Sequence, residues 1–416
     1  MFKAYKFRMY PTEEQKVLLE KHFGCARFIY NWGLDRKNAA YTTEKKKIST
    51  HQLMKDMVLL KKEEDFSWLK EVNSQSLQQS LWNLDDGFQR FFKKVSKFPT
   101  FKSKKRSKLS FNVPQFLTID FKKSCINIPK FDVGIKVKIH RQVVGAIDSG
   151  TISKMSSGKY FISIVIDDGI EVEQKTDGNI LGIDFGLKTF MTLSDGDKIE
   201  RKDFLYEVEP SLKRFQRKFS KKVKGSKNRE KVRNRISKIH EKIKNQRDDF
   251  LHKITAKIVD NQNYTFVGIE DLNIVGMMKN HSMSKRIGDL GWNKTTMMLN
   301  YKLKRVGKQL IKIGRFDPSS KLCSCCGKIN QNLKLSDRTW KCSCGKVHDR
   351  DINAAINIKN FAEIILRDLG RESSDVKPPE KLSYNDLRKM IVKTTSVKEE
   401  KFNGVMKMTT LTPLGL

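Results

Sequence analysis

The spacing of apolar and polar positions changes several times along the chain, and each change marks an element. Phe2, Ala4, Tyr5 and Phe7 stand among Lys3, Lys6 and Arg8, a pattern that predicts a strand ended at Tyr10-Pro11. Thr12-Glu13-Glu14-Gln15 then opens a helix as Thr-x-x-Gln, the pattern of a capping box. Val17, Leu18, Phe23, Ala26, Phe28, Ile29, Tyr30 and Trp32 carry helical spacing towards Tyr41, with Gly24 a place where it could break. Further helical blocks are predicted from Thr50 to Leu60 and from Ser74 to Val95. In the second, Leu77, Leu81, Leu84, Phe88, Phe91 and Phe92 make one apolar face, read as core packing. From Leu109 to Glu173 the period falls to two, as in Ile135-Lys136-Val137-Lys138-Ile139, with turns at Asp132-Val133-Gly134 and Ser157-Gly158. This predicts antiparallel β structure, a small barrel that the first strand joins and the helices of 12–95 interrupt.

A polar linker, 173–179, separates this half from a second one. Ile180-Leu181-Gly182-Ile183-Asp184 and Tyr264 to Glu270 are short apolar runs closed by an acid and read as buried strands, and Leu310-Ile311-Lys312-Ile313 as another. Phe190-Met191-Thr192-Leu193 with the Ser194-Asp195-Gly196-Asp197 turn predicts a β-hairpin. Helix replaces strand after Pro210: Leu212, Phe215 and Phe219 line one helix, Val232, Ile236, Ile239 and Ile243 the next, and residues 224–227 turn between them. Helix continues over 249–259. A mixed sheet with acids at its strand ends and helices around it is the requirement of an RNase H-like domain.

An acid at a strand end is ordinarily a turn residue or a helix cap. Asp184 and Glu270, however, each close a buried run, where an unpaired charge is costly. A third acid, Asp351, stands directly before the helical Ile352-Asn353-Ala354-Ala355-Ile356-Asn357-Ile358. Three such acids brought together would hold Mg²⁺ or Mn²⁺ through hard oxygen ligands, and two such ions suit phosphodiester hydrolysis.

Charge and cysteines sharpen this picture. Over 416 residues, 83 Lys and Arg against 47 Asp and Glu give a formal net charge of +36, the balance of a protein that binds polyanions by counterion release. Residues 212–247 carry 16 Lys or Arg against Glu230 and Glu241, so this helical hairpin, with Lys221, Lys222, Lys224 and Arg247, reads as a wall for a nucleic-acid strand. The basic run Lys102, Lys104, Lys105 and Arg106 is a second candidate phosphate contact. No run approaches the length of a membrane-spanning helix and no signal-peptide pattern opens the chain, so a cytoplasmic protein without a membrane partner is the expectation. Five of the seven cysteines fall between 323 and 344. Cys323 and Cys326 form C-x₂-C and Cys342 and Cys344 form C-x-C, each followed by glycine, the pattern of a Zn²⁺ site. Cys325 is an alternative to Cys326, while Cys25 and Cys125 read as ordinary buried thiols.

Together the strand-borne Asp184 and Glu270 and the cysteine ribbon running into His348-Asp349-Arg350-Asp351-Ile352-Asn353-Ala354-Ala355-Ile356-Asn357-Ile358 resemble the TnpB family, RNA-guided nucleases of insertion sequences related to type V CRISPR effectors. Ala26-Arg27-Phe28-Ile29-Tyr30-Asn31, Phe98-Pro99-Thr100-Phe101-Lys102, Asp249-Phe250-Leu251-His252-Lys253 and Ser319-Ser320-Lys321-Leu322-Cys323 extend the likeness; C-x-C in place of a second C-x₂-C departs from it. The resemblance implies an α/β multidomain chain. Its parts would be a wedge barrel (1–10 and 108–174) interrupted by a helical recognition domain (11–107), then a RuvC-type nuclease domain (175–318, hairpin 205–260), a zinc ribbon (319–348) and the nuclease domain's last helix (349–370). Residues 371–416 match little and read as a mobile tail. The resemblance further implies Asp184, Glu270 and Asp351 as catalytic acids, a guide RNA from the transposon end, a double-stranded DNA target read by base pairing next to a short motif, and a monomeric ribonucleoprotein at the nucleoid. Gln78 resembles a residue near that motif. The competing readings are a guided repressor that does not cut and a zinc-ribbon regulator that binds nucleic acid without a guide.

Overall fold

The structure is a computed structural model that describes residues 1–334 and 336–368. The chain divides into two compact units, residues 1–171 with 218–238, and residues 172–217 with 239 onward. The expectation for 371–416 lies outside the described residues.

The first unit begins with β1 (Phe2–Tyr10) and α1 (Glu13–Glu44), α2 (Thr50–Leu60), a 3₁₀ segment (Glu64–Glu71) and α3 (Ser74–Phe92). The capping box forms: Gln15 N donates to Thr12 Oγ1 at 3.3 Å and Thr12 N to Gln15 Oε1 at 3.1 Å. Helix α1 runs unbroken through Gly24. In α3, Leu77, Leu81 and Leu84 are buried as expected, but the apolar face does not continue as core: Phe92 is 70% exposed where the helix ends. There follow β2 (Leu109–Val113), β3 (Thr118–Asp120), β4 (Cys125–Asn127), β5 (Ile135–Lys138), β6 (Ala146–Lys154) and β7 (Tyr160–Asp167). They form one antiparallel sheet in the order β2-β6-β7-β1-β5-β4-β3, in which the first strand pairs as expected, between β7 and β5, while β2 and β3 stand at opposite ends of the order instead of pairing to close a barrel. One face is buried, as the alternation in β7 shows.

The second unit holds β8 (Ile180–Phe185), β9 (Thr189–Leu193), β10 (Lys198–Glu200), and most of the helices α4 (Phe204–Ser220) and α5 (Lys227–Asp260), whose residues 218–220 and 227–238 are assigned to the first unit. It continues with β11 (Phe266–Glu270), α6 (Ile274–Met277), α7 (His281–Leu290), α8 (Trp292–Lys304), β12 (Gln309–Ile313), β13 (Thr339–Lys341), β14 (Val347–Asp349) and α9 (Arg350–Asp368). Helix α4 starts before Pro210 rather than after it; burial of Phe204 and Leu212 on either side outweighs the one hydrogen bond proline lacks. The five-stranded sheet has the order β10-β9-β8-β11-β12, with β8, β11 and β12 parallel. Leu181, Ile183, Val267 and Ile269 pack with Leu251 of α5 and Leu299 and Leu303 of α8, while Ile180 and Phe266 pack with Ile358, Phe361 and Ala362 of α9. Both faces are therefore covered, which explains why these strands read as continuous apolar runs. Among the described residues no helix is long and apolar enough to cross a membrane.

Candidate active site and metal centre

In β8 and β11 the residue two before the acid is glycine, and Gly182 and Gly268 lie opposite one another in the parallel ladder. Side chains two apart on a strand share a face. A Cβ on Gly182 would lie 2.0 Å from the Ala355 carbonyl oxygen, and one on Gly268 would lie 2.9 Å from Ala362 Cβ. Both glycines thus let α9 press its backbone on the sheet, and Asp184 and Glu270 leave the sheet on that same face. Asp351 stands one helical turn before Ala355, about 6 Å along the axis, and Asp184 stands two residues beyond Gly182, about 6.6 Å along the strand. The matched offsets bring all three acids to one end of the sheet.

The surroundings of Asp184 and Glu270 resist charge. Asp184 keeps part of its surface in solvent, yet burial first, then the Glu270 and Asp351 carboxylates, push its pKa up to about 8 against the pull of Arg350. Burial likewise raises Glu270, with Asp317 adding to the effect and the Ser319 hydroxyl opposing it. Ser319 Oγ donates to Glu270 Oε1, and Arg338 Nη1 lies 3.4 Å from each Asp351 carboxylate oxygen. Asp351 is not the helix cap that a lone acid there would suggest. Asp349 takes that role, its Oδ1 accepting from Asp351 N and Ile352 N at 3.0 Å each. Lys198 Nζ in turn bonds Asp349 Oδ2 at 2.7 Å.

Among the described residues, three or more ligand atoms come within 4.8 Å of one another in the cysteine ribbon. The carboxylates, two of them turned to Ser319 and Arg338, are spread more widely.

Cys323, Cys326, Cys342 and Cys344 bring their four Sγ atoms together. Cys323 to Cys344 is 3.8 Å and Cys326 to Cys342 is 3.5 Å, close to the roughly 3.8 Å edge of a tetrahedron with 2.3 Å Zn–S bonds. The donor set therefore fits zinc. Burial pushes the Cys323 thiol up to about 12, whereas the Cys344 backbone N–H draws Cys342 down to about 6. A bound cation would hold all four as thiolates. The ribbon is tied to the acids by side chains that spacing did not single out. Asn353 Nδ2 and Asn357 Nδ2 both donate to the Leu322 carbonyl at 2.7 Å, Asn357 also to that of Ser319 at 2.7 Å, and Ser324 N donates to Asn353 Oδ1 at 3.0 Å. The signal was present in Asn-Ala-Ala-Ile-Asn, two amides one turn apart on an otherwise apolar face.

The candidate nucleic-acid contacts have different settings. Gln78 is exposed on α3; Lys104, Lys105 and Arg106 are exposed in a turn closed by Arg106 N to Ser103 Oγ at 3.1 Å. Lys102 instead covers the Tyr30 ring at 3.6 Å, and burial lowers its pKa. Lys221, Lys222 and Lys224 are exposed in the turn between α4 and α5, which Arg229 closes by bonding the Lys222 and Phe219 carbonyls at 2.6 and 3.0 Å. Arg247 is half-buried, donates to the Gly288 carbonyl at 2.6 Å and faces Asp289 at 3.6 Å.

The second unit is thus an α/β sheet with acids at one end and a four-cysteine ribbon. A solved structure of this kind, the Cas12f1-sgRNA-target DNA complex, matches at a TM-score of 0.54 and 15% identity over 86% of this chain and 99% of that chain. Family descriptions match in three places: "Helix-turn-helix domain" over residues 1–46, "Probable transposase" of the OrfB_IS605 type over 163–281, and "Cas12f1-like, TNB domain" over 292–358. Residues 1–46 form β1 and the single helix α1 rather than two helices about a turn. A Streptomyces pristinaespiralis protein named "Putative RNA-guided DNA endonuclease" is 36% identical over 86% of this chain and 88% of its own length. InsQ of Escherichia coli K12, which carries the same description, is 31% identical over 87% of this chain and 93% of its own. The chain belongs to the TnpB family.

Proposed function

We propose that this protein is an RNA-guided, metal-dependent DNA endonuclease of an insertion sequence, cutting target DNA beside a short adjacent motif through one site. The observation that carries the reading is the convergence of Asp184, Glu270 and Asp351 on one sheet end, where the pKa values of Asp184 and Glu270 are raised. Two carboxylates whose charge the surroundings oppose, one of them also facing the other two acids, are arranged for cations. Mg²⁺ or Mn²⁺ bound there would activate a water and stabilise the leaving oxygen of an in-line displacement. The chain's own residues do the rest. Ser319 orients Glu270, Arg338 holds Asp351, Asp349 fixes the helix start, and the glycine pair sets the distance between helix and sheet.

Zn²⁺ on the four cysteines is the structural partner of this reading, bracing the segment that carries Ser319 and the strand that leads into α9. The net charge of +36 and the exposed lysines of the hairpin and of residues 104–106 suit a guide RNA and a DNA duplex. Gln78 and the basic residues Lys102, Lys104, Lys105, Arg106, Lys221, Lys222, Lys224 and Arg247 remain the proposed nucleic-acid contacts, of which Lys102 and Arg247 also serve packing. The relatives' names support the guided activity, and a monomeric ribonucleoprotein in the cytoplasm is the form proposed.

The test is cleavage of a matched duplex by the ribonucleoprotein purified with RNA from its own locus. Asp184→Ala should lower the rate by about 10³-fold or more, since a metal ligand contributes several kcal/mol to the transition state, and should leave RNA and DNA binding intact. Substantial cutting by that variant would remove Asp184 from the chemistry. An uncut but bound duplex with the natural chain would favour the repressor.

A further inference from the structure

The ribbon carries more soft ligands than one tetrahedral centre uses. Besides the four cysteines, Cys323, Cys325 and His348 also bring one ligand atom each within 4.8 Å of the others. We propose that these three residues form a second, open site for a thiophilic divalent cation of the Zn²⁺ or Cd²⁺ kind, with the Cys323 thiolate bridging the two centres. The proposal rests on the reading of the four cysteines as a zinc centre.

One pair of the three is already close to the spacing a bound ion sets. His348 Nε2 lies 3.1 Å from Cys323 Sγ. A tetrahedral ion with Zn–S of 2.3 Å and Zn–N of 2.0–2.1 Å spaces its sulfur and nitrogen about 3.5 Å apart, so the pair needs to open by only about 0.4 Å. The imidazole cannot easily turn away. Its ring packs on Trp340 at 4.7 Å with an interplanar angle of 34°, and His348 is paired with Trp340 in the β13–β14 ladder. A thiolate sulfur has lone pairs enough for two cations, and Cys323 is common to both groups.

Exposure shows how the site would behave. Cys323 and His348 are 1% and 5% exposed, whereas Cys325 is open to solvent, so a cation would enter from the Cys325 side. Three protein ligands leave a fourth position to water. This is the arrangement of an exchangeable site, in contrast to the closed four-cysteine centre. Asp349, which caps α9, follows His348 directly, so a cation drawing on the imidazole would act on the start of the helix that bears Asp351.

The experiment is a Co²⁺ titration of the untagged, metal-stripped full chain in excess Mg²⁺, followed by sulfur-to-cobalt charge-transfer absorption, to which carboxylate sites contribute nothing. The natural chain should take up two equivalents in two steps, and Cys325→Ser one. Cys325→Ala, checked for folding by circular dichroism, should behave like Cys325→Ser. Saturation of the natural chain at one equivalent overturns the second site, whether or not Cys325→Ser alters the spectrum. Two equivalents in the variants also overturn it. Absence of any charge-transfer band overturns the four-cysteine centre itself, so the two failures are distinct.

Discussion

Strands β7 and β8 both run into acids, Asp167 and Asp168 in the first and Asp184 in the second, and the two sets titrate in opposite directions. Asp167 meets the Met1 amine at 2.8 Å; Asp168 meets the same amine at 3.0 Å and Lys3 Nζ at 2.6 Å. These partners hold both carboxyls below the usual carboxylate range, through the Met1 amine for Asp167 and Lys3 first for Asp168. Asp184 is raised instead, by burial and by two further carboxylates. The sheets explain the difference. Strand β7 alternates buried and half-buried positions and ends against the Met1 amine and Lys3, whereas the first four residues of β8 are buried without alternation and Asp184 faces two further carboxylates. A strand-end acid points to chemistry where its surroundings oppose the charge, and to ordinary packing where they satisfy it.

The strongest way to break this contrast is to push α9 off the sheet. A Cβ at Gly182 would meet backbone atoms, Ala355 O at 2.0 Å and Lys359 N at 2.7 Å, which cannot step aside without moving the helix. In the antiparallel sheet, a Cβ at Gly150 would meet Leu117 Cδ2 at 2.6 Å, the tip of a side chain that can rotate. Gly182→Ala should cost about 3 kcal/mol in urea unfolding and lower cleavage at least tenfold, while Gly150→Ala should cost about 1 kcal/mol and leave cleavage alone. Equal effects in the two sheets would mean that the acids do not depend on how closely α9 approaches.

A smaller effect sharpens the electrostatic half of the comparison. With a folded pKa near 8 and an unfolded one near 3.9, Asp184 favours the folded state fully below the unfolded value. That contribution is lost as pH rises through the folded value. Asp184→Asn does not titrate, so in buffer without divalent cations its melting temperature should match the natural chain near pH 4 and exceed it by a few degrees at pH 8.5. A difference independent of pH would place Asp184 in a solvated setting.

Much of this site was legible in the residues, though unevenly. The cysteine ribbon is local, and spacing alone picked out the four cysteines that fold together. The acids are dispersed from 184 to 351, but each announces itself by closing an apolar run or opening a helix. Gly182 and Gly268 gave no such sign, because Gly-x-Asp and Gly-x-Glu acquire meaning only once β8 and β11 are known to pair in parallel and in register. Ser319 and Arg338 were equally silent, since a hydroxyl and a guanidinium on loops acquire partners through tertiary structure. Phe92, apolar and in phase with the α3 stripe, was misread because periodicity does not reveal where the covering layer stops.

The smallest effect belongs to the control acid. Asp167→Asn removes one charge from a cluster in which Asp168 still bonds Lys3 and the Met1 amine, and the Asn side-chain oxygen can keep accepting from Gly169 N, now at 3.1 Å. Exposed ion pairs of this kind contribute little and are screened by salt. Because the Asp167 pKa is held down, its contribution is present above the unfolded value and disappears as pH falls through the folded one. Asp167→Asn should therefore melt slightly below the natural chain at pH 7 and converge with it as pH falls below the folded value, the reverse of the trend for Asp184→Asn, with cleavage within about twofold of normal. Should this variant lose cutting as Asp184→Ala is expected to, strand-end acids in the two sheets could not be told apart by their surroundings, and the assignment of the active carboxylates from those surroundings would fail.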